Sequence, residues 1–245
     1  MINTAPHPHL TRFSRWAPSV RRATLAFATM AVVTVAVLGA SNAFARHHQR
    51  YTDASPGNFD YYLLSLSWSP AFCLDSPGSA ECNGPRRYGF IVHGLWPENE
   101  RNRGPEHCDV HRDVPDDVVA GLADIMPARG LVYHEWSAHG TCSGLEPGEF
   151  FGLVRRAYAH LTMPAEFVRP GQPIQQSTDA ILGDFLRANR DMRRDEMFLT
   201  CSRQSVPRLR ELRICLDRSL APRTCSEDAL RGACTSGALL VPPVR

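Results

Sequence analysis

The sequence predicts an α+β domain preceded by a short leader. Three observations carry this reading. An uncharged apolar run lies near the start, all eight cysteines follow it, and strand-like segments lie towards both ends of the remaining chain with helical stripes between them. Strands gathered at the ends with helices between favour α+β over alternating βαβ units. The 245 residues are 43% hydrophobic and 21% charged, which excludes global disorder, collagen and coiled coil.

Residues 1–22 hold Arg12, Arg15, Arg21 and Arg22 and no acid. The run from Thr24 to Ala40 is apolar, and Ala43 and Ala45 stand in A-x-A spacing. Together these read as a signal peptide over residues 1–45, leaving one domain over 46–245. A retained anchor is the alternative, since 17 apolar residues lie at the short limit for spanning a bilayer. The chain has no Lys. With four of its 27 arginines in the leader, 23 face 25 acids, a net charge of −2. Such a domain handles nucleic acid only through a local site.

Residues 46–58 are polar and read as a loose start. FDYYLLSLSW (59–68), apolar at nearly every position and stopped by Pro70, reads as a buried strand, and YGFIVHGLW (88–96) as a second. Val118, Leu122 and Ile125 fall at helical spacing behind Asp116 and Asp117. HEWSAHGTC (134–142) fits a short helix ending at Gly140. Phe150, Phe151, Val154, Ala157, Tyr158 and Leu161 form one helical stripe, and Ile181, Leu182, Phe185 and Leu186 another. MFLTC (197–201) and LRICL (212–216) read as a strand pair, and LLVP (239–242) as a last edge strand.

Eight cysteines beyond an export signal imply a disulfide framework, with 105 possible pairings. Spacing suggests Cys73–Cys82 as a local loop and Cys215–Cys225 nested inside Cys201–Cys234, which leaves Cys108 with Cys142. Zinc binding is the alternative, weakened by the lack of any C-x-x-C pair.

Two segments carry chemistry. In IVHGLWPE (91–98), His93 ends an apolar run and Gly94 lets the chain bend; a buried structural His is the bland alternative. HEWSAHGTC packs His134, Glu135 and His139 into six residues, where a mere surface cluster is the alternative. The zinc-protease motif places its histidines four apart, about 40° around a helix. Here they are five apart, about 140° around, so one straight helix cannot aim both at one metal. Glu135 and His139 are the pair four apart, which would set a carboxylate beside an imidazole. With His93 as a second proton-transfer group, the set suits phosphoryl or acyl transfer without a metal.

HGLWP (93–97) and HEWSAHGTC (134–142) resemble the two active-site segments of the ribonuclease T2 family, and YYLLSLSWSPAFC (61–73) resembles its first strand and first cysteine. The resemblance implies an antiparallel sheet flanked by helices, four disulfides and a secreted or periplasmic location. It implies cleavage of single-stranded RNA through a 2′,3′-cyclic phosphate, with no metal and no cofactor. DNA, which lacks the 2′-OH, is excluded as substrate. A monomer without stable membrane association after leader removal is expected.

By this likeness His139 is the base on the 2′-OH, His93 the acid on the departing 5′-oxygen, and His134 a phosphate contact. Glu135 helps stabilise the five-coordinate phosphorus. Trp96 would stack on a base, as aromatic rings do with single-stranded RNA, or pack beside Pro97. Glu98 would accept hydrogen bonds from a base edge. His47, His48, His107, His111 and His160 have no assigned part. One residue departs from the family pattern: Ala138 stands where a Lys usually precedes the second histidine. Arg86, Arg87, Arg101 and Arg103 are the sequence's candidates to replace its charge. Loss of that charge also leaves open a catalytically weak, RNA-binding relative.

Overall fold

The computed structural model describes residues 55–108 and 112–245, so the segment read as a signal peptide, residues 1–45, lies outside the described residues. Four strands form an antiparallel sheet in the order β2-β1-β5-β4: β1 (Tyr61–Trp68), β2 (Phe90–Glu98), β4 (Met197–Cys201) and β5 (Leu209–Leu216). The sequence pairing of the last two holds, with β5 starting earlier, at Leu209. The edge strand β6 (Leu239–Val241) joins a small second sheet with β3 (Ile174–Gln176). β3 escaped the sequence reading because three partly exposed residues carry no periodic signal.

Register explains why β1 reads as apolar yet belongs to two environments. Successive strand residues face opposite ways. Leu64, Leu66 and Trp68 pair beside Leu95, Val92, Phe90, Ile214 and Leu212, and all lie in the main core. Ser65 and Ser67 face the other side, opposite Gly94, Ile91, Arg213 and Glu211. One sheet face is therefore core; the other is split, apolar where Tyr61 and Leu63 meet Phe198 and Cys215, and polar where the two serines, Glu211 and Arg213 lie.

The core face is covered by helices whose apolar stripes match the sequence: α4 (Pro147–Ala159) through Phe150, Phe151, Val154 and Ala157, and α5 (Thr178–Ala188) through Ile181, Leu182 and Phe185. Earlier in the chain lie α1 (Ser69–Asp75), α2 (Asp116–Gly121) and α3 (Arg129–Ala138). α3 begins five residues before the segment read as helical, and a 3-10 turn, Gly140–Ser143, follows it. The four disulfides are Cys73–Cys82, Cys108–Cys142, Cys201–Cys234 and Cys215–Cys225, the pairing that spacing suggested.

Candidate active site

His93 is placed by an irregularity in the sheet. Ser65 pairs with Gly94 and Leu66 with Val92, so His93 is the extra residue of a bulge. Bulges re-aim a side chain out of the ladder. The ring remains about a third exposed, which speaks against a purely structural His. Gly94 serves by leaving space: a Cβ there would collide with Oε2 of Glu135 and Nε1 of Trp96.

α3 brings the second segment against this bulge. Val132, Glu135 and Trp136 fall on its buried face, and His134 on its exposed one. The helix stops at Ala138; His139 departs at φ −125°, ψ −43°, and its N–H still closes the last turn on the Glu135 carbonyl. Gly140 then passes so close to the Trp136 and Phe150 rings that a side chain would clash. This exit corrects the expected pairing of Glu135 with His139. Because His139 has left the helix, the Glu135 carboxylate turns instead to the strand: Oε2 accepts from Trp96 Nε1 at 2.8 Å and Oε1 lies 3.5 Å from His93 Nε2.

The two histidines sit in opposite electrostatic surroundings. His93 Nδ1 meets Glu211 Oε1 at 2.7 Å. Burial alone would lower the His93 pKa, but that hydrogen bond and the charges of Glu135 and Glu211 raise it, with Arg213 opposing. His139 is pushed down to about 4 by burial, then by the charges of His134, His93 and His107. Its Nδ1 is buried without a hydrogen-bond partner. Glu135, 1% exposed, is pushed up to about 7 by burial, partly offset by His93 and Trp96. Burial acts the same way on Glu211, but hydrogen bonds and charge from His93 and Arg213 outweigh it and hold that carboxyl at about 2.

Trp96 lies between the catalytic candidates, its ring centroid 5.2 Å from each of His93 and His139. The Arg213 guanidinium sits 4.8 Å over it. Glu98 Oε2 accepts from the Gly104 N–H at 2.9 Å, which ties this carboxylate to its own loop. Arg86, Arg87, Arg101 and Arg103 are all exposed. Arg87 bonds the Gly84 carbonyl, and Arg103 lies near Glu98. The cation within the site is Arg213, which the sequence reading missed together with Glu211.

His107 lies near the site: its backbone N–H bonds the Ala138 carbonyl at 2.8 Å and its charge reaches His139. His160 lines a separate cavity, and His47, His48 and His111 lie outside the described residues. A cavity of ≈ 420 Å³ opens beside His93, lined also by Ser67, Phe72, Glu81, Ala128 and Arg210. Among the described residues one trio could converge on a metal, Cys73, Glu81 and Cys82, but its sulfurs are bonded to each other.

One histidine whose proton affinity is raised, one whose affinity is lowered, and a buried carboxyl against the first are an arrangement suited to general acid–base transfer. The chain belongs to the ribonuclease T2 family, whose model matches residues 59–225. A ribonuclease from Aeromonas hydrophila is 43% identical over 99 residues, 40% of this chain and 44% of that protein. A probable ribonuclease from Haemophilus influenzae is 28% identical over 181 residues, 68% of this chain and 61% of that protein. The chain thus spans less than two thirds of either relative's length. An RNase-related protein from Calystegia sepium shares the fold with a TM-score of 0.60 and 19% identity, over 76% of this chain and 98% of that one.

Proposed function

We propose that the domain is an exported endoribonuclease that cleaves single-stranded RNA by attack of the ribose 2′-OH on the adjacent phosphorus. The observation that carries this is the opposed proton affinity of His93 and His139. His139, neutral at any pH above about 4, takes the 2′-OH proton. The 2′-oxygen bonds to phosphorus as the bond to the 5′-oxygen breaks, and His93 gives its proton to that oxygen. The products are a 2′,3′-cyclic phosphate and a 5′-hydroxyl; water opens the ring by the reverse exchange.

Glu135, beside His93, faces the phosphorus, and exposed His134 contacts a phosphate oxygen. The cavity beside His93 has room for the departing nucleoside. Trp96 and the second oxygen of Glu98 share the strand face beyond His139 and contact a base. No step needs a metal or cofactor. The domain acts as an exported monomer; export accords with the leader-like start and four disulfides. Among the described residues no helix is long and apolar enough to cross a membrane.

The test is cleavage of single-stranded RNA and DNA by the oxidised, leader-processed protein, with and without EDTA. RNA cleavage that survives chelation, with DNA intact, is expected. Loss on chelation with recovery on adding zinc would overturn the mechanism. RNA binding without cleavage would establish the binding-only relative instead.

A further inference from the structure

The strand β5 sends two charged side chains to the polar face of the sheet, and no step above uses them. Glu211 is nearly buried, yet four donors converge on it. His93 Nδ1 meets Oε1 at 2.7 Å. Oε2 accepts from Thr200 Oγ1 at 3.2 Å, Arg213 Nε at 3.0 Å and Arg213 Nη2 at 2.7 Å. Arg213 is itself pinned, its guanidinium lying over the Trp96 ring. A buried carboxylate is costly unless paired and hydrogen-bonded. Here three donors hold Oε2, and Oε1 is left to a single imidazole.

We propose that Glu211 and Arg213 form a positioning pair for His93: Glu211 holds the Nδ1–H tautomer and so directs Nε2 at the reacting phosphate, while Arg213 fixes Glu211 and limits how tightly His93 keeps its proton. This rests on the assignment of His93 as the acid. A carboxylate on Nδ1 sets both the ring's orientation and which nitrogen carries the transferable proton. Without it, Nδ1 and Nε2 compete for the proton and the ring can turn. Arg213 acts through Glu211 in two ways. Its Nε and Nη2 both donate to Oε2, which leaves Oε1 turned to His93, and its positive charge opposes protonation of His93. The other charged groups facing His93 include Glu135 from α3, Glu81 from the short helix Ala80–Asn83, His139 and, across the adjoining cavity, Asp75 of α1 and Arg210 of β5.

Because the partners carry opposite charges, their removal must shift His93 in opposite directions. Glu211→Gln removes a negative charge, so the His93 pKa falls and the alkaline limb of the kcat–pH profile moves to lower pH. Arg213→Gln removes a positive charge, so the limb moves to higher pH, and Arg213→Lys returns it towards wild type. Both Gln variants lose turnover through misorientation, by about 10²-fold for Glu211→Gln. A purely structural role would lower turnover without moving the limb.

The experiment measures kcat against pH on one dinucleoside monophosphate, alongside ring ¹⁵N–¹H spectra of His93 in the ligand-free protein. Circular dichroism verifies folding; if Glu211→Gln fails to fold, the partly exposed Arg213 variants carry the test alone. Opposite shifts in limb and ring pKa support the pair. An unmoved ring pKa in every folded variant, or shifts of one sign, overturns it. The spectra read the coupling without turnover, so a wild-type protein inert towards RNA would refute the ribonuclease reading while the spectra still judge the pair.

Discussion

Gly94→Ala tests the packing of the site most directly. The added methyl must enter the space where Trp96 Nε1 donates to Glu135 Oε2 at 2.8 Å. Both partners are constrained: Glu135 is 1% exposed on the inward face of α3, and Trp96 is gripped by Arg213. Overpacking costs about 1–3 kcal/mol, and losing a hydrogen bond to a buried carboxyl about 1–3 kcal/mol more. A net loss of about 3 kcal/mol corresponds to a fall of about 6–12 °C in Tm for a domain of this size. Turnover should fall by about 10²-fold, because Glu135 is displaced from His93 and Trp96 from between the two histidines. Differential scanning calorimetry and steady-state cleavage of a dinucleoside monophosphate measure the two effects. A variant within about 2 °C of wild type and with turnover within about twofold would show that Gly94 is not needed for space.

His93→Ala and His139→Ala should each lower kcat by about 10²–10⁴-fold. The wild-type profile should be bell-shaped: activity rises with pH as His139 loses its proton near about 4, and falls again above pH 6.5 as His93 and Glu135 titrate together. A flat profile between pH 4 and 8 would refute both roles. Replacing Cys108 and Cys142 by Ala, across a separation of 34 residues, should cost about 4 kcal/mol of loop-closure entropy and lower the melting temperature in calorimetry. Activity should fall too, since Cys142 anchors the turn that follows His139. Ala138→Lys should leave kcat flat or reduce it, because Ala138 is 3% exposed and a new cation there adds to the positive charges already crowding His139. A rise of about 10-fold or more, comparable to restoring a transition-state donor, would show that the site lacks a cation.

Much of this was legible in the chain because it rests on local signals. The apolar stripes of α4 and α5 and the strand character of 61–68 are periodic. The order and spacing of the cysteines sufficed for their pairing. His93, His134, Glu135 and His139 stand in two compact motifs. Non-local features were hidden. Glu211 lies 118 residues from His93, and only sheet register brings them together. A trace existed: in LRELRICL, Glu211 and Arg213 alternate with Leu209, Leu212 and Ile214, which marks them as sharing the polar face of a strand. The Glu135–His139 pairing failed because helical spacing was assumed through a residue that is no longer helical.

The two buried carboxyls beside His93 differ in one respect that decides what each can do. Glu211 has a guanidinium whose Nε and Nη2 both donate to Oε2 and stays ionised across the working range, so it acts as a fixed charge. Glu135 has no such cation; its partners are an indole N–H and, at 3.5 Å, His93 itself. Burial therefore wins there and sets its titration near neutrality. Of the two, only Glu135 can change protonation as charge builds on a neighbouring phosphate oxygen, and in the proposed reaction it can donate to that oxygen over the acidic half of the pH window. The arginine on the sheet thus separates two like carboxyls into an orienting charge and a responsive acid, a division that neither carboxyl's position in the chain would reveal.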